Sequence, residues 1–230
     1  MKPDWAFANE RLLIVGPSGC GKTTLALSFL AGHLARRCQL FAFDQKGELG
    51  PRLNLPAHHS LEAVAVAAAC GKPVVFNPHS VYPGNTAAGF HFLAASAWRV
   101  AQVSEPEIVL LVDELQDFTG PNRGDIPPPL ASCVESGRGW KVHTVAIAQS
   151  ANLVNARLRQ QFNRVAVFRQ SETTATDPLR AWGFDPEAVA TLAPGAFIIR
   201  NRDTGETRPG DITWRANRPA VRLLPALARA

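Results

Sequence analysis

The sequence predicts an α/β fold of three layers, in which a mostly parallel central sheet lies between helices. Short apolar runs alternate with segments of helical periodicity along most of the chain, as parallel strands joined by crossover helices do. One run, Ile108–Val112, has five apolar residues without polar alternation, which is typical of a strand covered on both faces. The 230 residues suit one domain. We expect its core over roughly residues 10–200 and a basic hairpin and tail over roughly residues 196–230.

The first half of the chain contains four predicted strands and three predicted helices. Each strand is a short apolar run, and each helix carries apolar residues at helical spacing. Residues 51–60 and 118–129 are predicted loops, because prolines interrupt both stretches. The predicted strands are residues 11–15, 39–43, 72–76 and 108–112, and the predicted helices are residues 24–34, 61–69 and 86–103.

The second half continues the alternation and then changes character. The sequence Asp-Thr-Gly at residues 203–205 lies between two apolar runs, residues 196–200 and 212–214, and predicts a hairpin at a sheet edge. The last dozen residues have no clear period, so we expect a mobile tail there. Before the hairpin, strands are predicted at residues 142–148 and 163–168, and helices at residues 130–137, 152–161 and, in short pieces, 178–192.

A glycine-rich loop follows the first predicted strand. Residues 16–23 read Gly-Pro-Ser-Gly-Cys-Gly-Lys-Thr, which matches the phosphate-binding pattern G-x-x-x-x-G-K-[ST] between a strand and a helix. Backbone N–H groups of such a loop face phosphate oxygens, and the helix N-terminus adds partial positive charge. We expect Lys22 to reach the β- and γ-phosphates and the Thr23 hydroxyl to bind Mg²⁺. The residues expected to contact the nucleotide are Gly16, Pro17, Ser18, Gly19, Cys20, Gly21, Lys22, Thr23 and Thr24.

An acidic pair, Asp113 and Glu114, follows the strand Ile108–Val112 directly. This is the Walker B pattern, in which Asp113 would hold the Mg²⁺ shell, mostly through water, and Glu114 would polarise the attacking water. An acidic turn after an ordinary strand is the alternative, and the phosphate-binding loop upstream in the same α/β pattern argues against it. The pair favours hydrolysis of a nucleoside triphosphate over transfer to a small acceptor, because a kinase excludes water from its site.

The net charge of +5 comes entirely from the last third of the chain. Up to residue 150 there are 12 basic and 12 acidic residues, whereas residues 151–230 hold 12 arginines and 7 acidic residues. This excess indicates a polyanionic partner, and solvated surface arginines are the alternative. The four cysteines have no C-x-x-C pair and no histidine at metal-binding spacing, so we expect neither a zinc site nor a disulfide framework. We also expect no membrane-spanning segment.

Taken together, these motifs resemble the FtsK/HerA superfamily of P-loop DNA-pumping ATPases, particularly the compact genome-packaging ATPases of membrane-containing icosahedral viruses. The phosphate-binding loop and Val112-Asp-Glu114 match motifs that many ATPases share. Residues 43–48 resemble the family's Asp-Pro-Lys-Gly segment with Gln45 in place of proline. Residues 135–138 and the strand that ends at Gln149 resemble its Arg-x-x-Gly segment and terminal Thr-Gln, with Ala148 in place of Thr. The strand at residues 163–170 also resembles the family's next strand. The resemblance spans roughly residues 11–200.

The resemblance implies a three-layer, RecA-like P-loop NTPase fold, with ATP and Mg²⁺ as ligands and a ring of six identical subunits. Gln149 would sense the γ-phosphate or hold the attacking water. Arg138 would be an arginine finger that reaches into a neighbouring subunit, with Arg157 and Arg169 as alternatives. The implied catalytic set is Lys22, Glu114, Gln149 and Arg138.

Double-stranded DNA is the implied cargo, and capsid-vertex or membrane-vesicle proteins are the implied partners. Loop cations that could contact DNA phosphates without reading sequence are Lys46, Arg52 and Arg123. The implied location is the host cytoplasm during assembly or the virion vertex. Three other functions remain open at this point: an assembly ATPase that moves protein, a small-molecule kinase, and a nucleotide-dependent switch with negligible turnover.

Overall fold

A nine-stranded sheet runs through the described part of the computed structural model, which comprises residues 10–34, 38–104, 107–119, 126–170, 172–215 and 218–223. The strand order is β3-β2-β4-β5-β1-β6-β7-β8-β9, with β1 to β6 parallel and β7 to β9 antiparallel. The strands are β1 Arg11–Val15, β2 Gln39–Phe43, β3 Val74–Phe76, β4 Ile108–Val112, β5 Val142–Ala148, β6 Arg164–Phe168, β7 Ala196–Asn201, β8 Thr207–Arg215 and β9 Arg218–Leu223.

Helices cover both faces of this sheet. On one face, α1 buries Leu25 and Phe29 against Leu12 and Ile14 of β1. On the other face, α4 packs Phe90 against Phe43 of β2, with ring centroids 5.5 Å apart. The predicted three-layer fold is therefore confirmed. The helices are α1 Lys22–Leu34, α2 Leu49–Leu53, α3 Leu61–Ala69, α4 Thr86–Val103, α5 Pro128–Ala131, α6 Ala156–Gln161, α7 Glu172–Ala181 and α8 Pro186–Ala190.

Three predicted boundaries shift for local reasons. Helix α1 begins at Lys22, inside the glycine-rich motif, and not at residue 24. Strand β3 begins at Val74, because the Lys72 N–H bonds to the Ala67 carbonyl and continues the end of α3. Helix α7 begins at Glu172, six residues before Pro178, although Pro178 was expected to start the helical region.

Two segments predicted as irregular are ordered. Helix α2 lies partly within the predicted loop at residues 51–60, and the Asp44 carboxylate stabilises its first turn by accepting hydrogen bonds from the N–H groups of Glu48, Leu49 and Gly50. The expected mobile tail is wrong over residues 219–223, which belong to β9 and pair with β8. The sequence of residues 218–223 has no clear apolar period, so only its pairing with β8 identifies β9 as a strand. Residues 224–230 lie outside the described part.

The segment between α5 and β5 also differs from the continuous helix predicted there. After α5 the chain forms a π-helical turn at Ser132–Ser136 and then a 3₁₀ turn at Gly137–Trp140. Short 3₁₀ turns also occur at Leu115–Phe118 and Ala151–Leu153. The π turn carries Glu135, whose carboxylate pairs with Arg157 of α6 over 2.6 Å. The ion pair thereby joins the π turn to α6. Turns of this kind often occur at functional sites.

Candidate functional site

The glycine-rich loop leaves the carboxyl end of β1 and turns tightly into α1. Gly19 and Gly21 have φ values of +76° and +107°, in a region that residues with a Cβ rarely adopt. Lys22 is buried, and its ammonium donates a hydrogen bond to the Pro17 carbonyl over 2.9 Å. The loop thereby folds back around its own lysine, as a phosphate-binding loop does.

Neighbouring strands hold this loop at two glycines. A Cβ at Gly16 would lie 2.7 Å from the Cβ of Phe168, at the end of β6. A Cβ at Gly21 would lie 2.8 Å from Cγ1 of Ile212, which belongs to β8. The sequence analysis explained both glycines by phosphate binding alone. The packing of Ile212 against the loop was not predicted, because Ile212 lies 191 residues beyond Gly21 and no local pattern connects the two.

The acidic pair lies at the carboxyl end of β4, at the same edge of the sheet as the loop. Strand β5 lies between β4 and β1, so the pair and the loop are two strands apart. Glu114 has a φ of 55° and a ψ of 53°, a left-handed conformation, and its N–H donates to Asp113 Oδ1 over 3.1 Å. This conformation turns the two carboxylates in different directions from adjacent positions.

The Glu114 carboxylate has a partner on each oxygen. Lys46 forms an ion pair with Oε1, and Gln116 Nε2 donates to Oε2 over 2.6 Å. Burial opposes ionisation of Glu114, but hydrogen bonds from Lys46, Gln116 and Gln149 outweigh it and lower the pKa. Glu114 is therefore held as a carboxylate.

Asp113 has the opposite electrostatic environment. Burial raises its pKa, the charge of Lys46 opposes that rise, and the nearby charge of Glu114 adds to it. A buried carboxylate with a raised pKa gains most from a nearby cation. Carboxylate and hydroxyl oxygens are the donors that Mg²⁺ prefers, so Asp113 and Thr23 suit this ion chemically.

Gln149 follows β5 directly and lies beside Glu114 and Gln116. Its side chain helps to lower the pKa of Glu114, and its N–H donates to Gln116 Oε1 over 3.4 Å. The position beside β4 agrees with the sequence analysis. Gln116, in contrast, was not singled out, and only its place in the 3₁₀ turn after Glu114 could have suggested it.

The three candidate arginines lie on different elements. Arg138 is exposed and precedes β5, whereas Gln149 follows β5. The seven residues of β5, at roughly 3.3 Å each, place Arg138 about 20 Å from the acidic pair of its own chain. Arg157 pairs with Glu135, and exposed Arg169 lies in cis beside the glycine-rich loop. Arg138 therefore lies at the opposite edge of the sheet from the acidic pair of its own chain.

A cleft of about 220 Å³ opens beside the loop. The loop lines it on one side through Pro17, Ser18, Gly19 and Cys20. Phe168, Arg169 and residues 193–196 line the other side. The sequence analysis assigned no role to residues 193–196, which sequence alone presents as an ordinary turn before β7.

Two of the three predicted DNA-contacting cations, Lys46 and Arg52, follow β2 at the same edge of the sheet. Lys46 is half-exposed while it pairs with Glu114, and Arg52 pairs with Glu48 over 3.1 Å on the surface. Arg123, the third predicted cation, lies outside the described residues.

The opposite edge of the sheet brings together Cys38, Glu107 and His143, whose ligand atoms lie within 4.8 Å of one another. His143 Nδ1 accepts a hydrogen bond from the Glu10 N–H over 3.0 Å, so neutral His143 carries its proton on Nε2, 3.2 Å from Glu107. A nitrogen that donates a proton offers no lone pair to a cation. The cluster is thus a hydrogen-bonded network at the amino ends of β2, β4 and β5.

The order of the strands and the geometry of the loop define a P-loop NTPase fold. The sequence matches no protein-family model and no curated protein. Among solved structures, B204, the genome packaging NTPase from Sulfolobus turreted icosahedral virus 2, in complex with AMPPCP, has a TM-score of 0.70 at 15% identity over 87% of this chain and 96% of that chain. B204, the DNA-packaging ATPase from Sulfolobus Turreted Icosahedral Virus, has a TM-score of 0.66 at 16% identity over 91% and 98%.

A bacterial conjugative coupling protein, TrwBdeltaN70, has a TM-score of 0.59 at 12% identity over 94% of this chain and 85% of that chain. At these identities the similarity is one of fold, and the expected resemblance to the fold of viral packaging ATPases is confirmed at that level. Within the described residues, no helix is both long and apolar enough to cross a membrane.

Proposed function

We propose that this chain is an ATPase that translocates double-stranded DNA and packages a viral genome into a preformed capsid. One observation carries the proposal: Glu114 lies at the carboxyl end of β4 as a carboxylate, next to the strand that ends at Gln149 and two strands from the loop that holds Lys22. A P-loop enzyme that only transfers phosphate to a small acceptor has no need of this second carboxylate or of the glutamine beside it.

The roles follow from position and charge. Backbone N–H groups of Gly16 and of residues 18–24 bind the phosphates, and Lys22 leaves the Pro17 carbonyl to contact the β- and γ-phosphates. Thr23 and Asp113 would hold Mg²⁺, which when bound neutralises charge on the phosphates. Glu114 accepts a proton from water as that water attacks the γ-phosphorus, and Gln149 orients the water. The bond from the γ-phosphorus to the bridging oxygen breaks, leaving ADP and phosphate.

The DNA part of the proposal is supported by charge and by fold. Lys46 and Arg52 lie on the loop side of the sheet, where a duplex could contact them through its phosphates without any readout of sequence. The similar structures include a DNA-packaging ATPase and a conjugative coupling protein. A motor for a whole genome needs contacts of this sequence-independent kind.

We also infer that the chain forms one domain and works as a homohexamer, with Arg138 of one subunit acting at the loop of the next. Residues 10–200 would form the motor core, and residues 196–230 its basic edge. Its partners would be capsid-vertex or membrane-vesicle proteins, in the host cytoplasm or at the virion vertex.

Steady-state ATP hydrolysis tests the proposal. Lys22→Ala and Glu114→Gln are each expected to lower kcat by about 10²–10⁴-fold, since they remove a phosphate contact and the general base. Long duplex DNA should stimulate the wild type, and the stimulation should fall steeply with salt. Glu62→Gln, on the exposed side of α3, is the matched control and should hydrolyse ATP as the wild type does. Unchanged turnover in Glu114→Gln, or indifference to DNA at low salt, would contradict the proposal.

A further inference from the structure

Lys46 lies at the boundary between the proposed catalytic centre and solvent. Its ammonium pairs with Oε1 of Glu114 while Gln116 donates to Oε2, so both carboxylate oxygens are engaged by this chain. These partners hold the carboxylate in place and occupy the oxygens that a water molecule would have to approach. The arrangement therefore describes a restrained state of the site.

The two partners of the ion pair differ in exposure. The side chain of Lys46 is 48% exposed and that of Glu114 is 9% exposed. A ligand from solvent can therefore reach Lys46 and draw it away, while Glu114 keeps its place. A lysine side chain has enough freedom for this movement, because its ammonium lies at the end of four flexible methylene groups.

The backbone that carries Lys46 is held on both sides of the residue. Asp44 accepts hydrogen bonds of 2.9–3.1 Å from the N–H groups of Glu48, Leu49 and Gly50. His79 Nε2 lies 2.7 Å from the Gln45 carbonyl oxygen. Because these contacts hold the loop, release of Glu114 needs only a rotation of the Lys46 side chain.

We propose that Lys46 is a positioning residue that restrains Glu114, and that a phosphate of bound duplex DNA releases Glu114 by taking over the Lys46 ammonium. The inference rests on the proposed DNA-translocating function. Phosphate and Glu114 compete because an ammonium that is already paired attracts a second anion weakly, and two anions beside it repel each other. Binding of DNA and formation of the Lys46–Glu114 pair therefore weaken each other by the same factor.

Turnover without DNA is the first test. Lys46→Met is expected to raise kcat about fivefold, because a half-exposed ion pair shifts an equilibrium by a factor of this order. At saturating duplex, DNA should stimulate Lys46→Met far less than the wild type. Lys46→Arg keeps a cation beside Glu114, so it should keep both the low basal rate and the stimulation.

The matched control is Lys72→Met. Lys72 is an exposed lysine that precedes β3 at the other edge of the sheet, so the substitution removes the same charge without touching Glu114. Its basal rate and its stimulation by DNA should equal those of the wild type. A general effect of net charge would move both variants together.

Ionic strength separates restraint from structural damage. Raising salt from about 0.05 to about 0.5 M should increase the DNA-free kcat of the wild type, because salt screens the exposed part of the ion pair. The kcat of Lys46→Met should stay level over the same range. A lysine that served only to hold the loop together would give no such difference.

DNA binding without ATP tests the competition independently of turnover. Glu114→Gln is expected to raise the affinity for a duplex of random sequence about fivefold, because it frees Lys46. The same substitution in the Lys46→Met background should have no effect, which a double-mutant cycle measures as coupling between the two residues.

Two results would overturn the inference alone. A Lys46→Met variant with an equal or lower basal kcat than the wild type, restored in Lys46→Arg, would make Lys46 an activating cation. Additive effects in the binding cycle would exclude competition. If the wild type hydrolyses no ATP or binds no duplex DNA, the proposed function fails and the restraint fails with it. If the wild type hydrolyses ATP and binds duplex DNA but shows no coupling between Lys46 and Glu114, only the restraint fails.

Discussion

Glu114 depends on a backbone conformation that its place in the sequence does not reveal. The left-handed region costs a residue with a Cβ about 1–2 kcal/mol, so the surroundings must hold Glu114 there. They do so through the hydrogen bond from its N–H to Asp113 and through the bonds of its carboxylate to Lys46 and Gln116. The Walker B pattern identified the carboxylate, whereas the direction of its side chain follows from these neighbours.

Three cysteines that differ in burial are expected to differ in their rates of alkylation. Burial raises the pKa of Cys133 to about 12 and also raises the pKa of half-buried Cys20, which the charge of Lys22 partly offsets. Cys70 is exposed. Only the thiolate reacts, and a raised pKa means less thiolate at a given pH. At about pH 8 we expect alkylation in the order Cys70, Cys20, Cys133, measured by mass spectrometry after iodoacetamide treatment.

Unfolding in urea is the control for this order, because all thiols should then react at similar rates. Labelling of Cys133 in the folded protein at the rate of Cys70 would contradict the packing of Cys133 beneath α4, where its thiol lies 3.7 Å from the Ala94 carbonyl oxygen.

Among the elements, the β8–β9 pair departs most from the sequence prediction. The predicted hairpin of residues 196–200 and 212–214 is formed by β7 and β8, and a mobile tail was expected to follow it. Instead β9 pairs with β8, and Ile212 and Val221 pack against the core on the face that α1 covers. Ile212 also contacts Gly21 of the phosphate-binding loop. The β8–β9 pair therefore acts as part of the wall around the nucleotide site.

Removal of β9 should destabilise the whole chain. A stop codon after Arg215 deletes Val221 from the core and leaves the nine residues of β8 with an unpaired edge. We expect a Tm about 5–10 °C lower, which corresponds to roughly 2–3 kcal/mol for a domain of this size. The matched control is a stop codon after Leu223, which keeps β9. Equal Tm values for the two truncated chains would show that β9 contributes nothing to stability.

For the whole molecule, the sheet separates two kinds of functional group. The phosphate-binding loop, the acidic pair and Gln149 lie at the carboxyl edge of the parallel strands, and Arg138 lies at the amino edge of β5. The length of β5 keeps Arg138 from its own site, so its proposed role requires a neighbouring subunit. A ring with a head-to-tail interface would bring the two edges together.

Mixing of inactive variants tests this arrangement. Arg138→Ala and Lys22→Ala are each expected to be inactive alone. In an equimolar mixture, about a quarter of the interfaces pair an intact loop with an intact Arg138, so activity should return to about that fraction. ATP hydrolysis by the mixture measures the rescue.

Lys22→Ala mixed with Glu114→Gln is the control for this experiment, because both changes damage the same site and no interface restores it. A mixture of Arg138→Ala and Lys22→Ala that stays as inactive as this control would move the finger to another residue.

Features that depend on contiguous residues were predictable from the sequence. The glycine-rich loop, the buried strands and the acidic pair each lie within a few residues, so local sterics and hydrophobic periodicity define them. The bounds of α3, α4, β4 and β5 agree with the prediction for the same reason.

The partners of those features depended on the order of the strands. Lys46 reaches Glu114 because β2 pairs with β4, and Gln149 reaches it because β5 pairs with β4. Ile212 reaches Gly21 only because β8 and β9 turn back over α1. These contacts join residues far apart in the chain, and strand order is decided by the burial of the whole sheet between its helices, which no local stretch of sequence encodes.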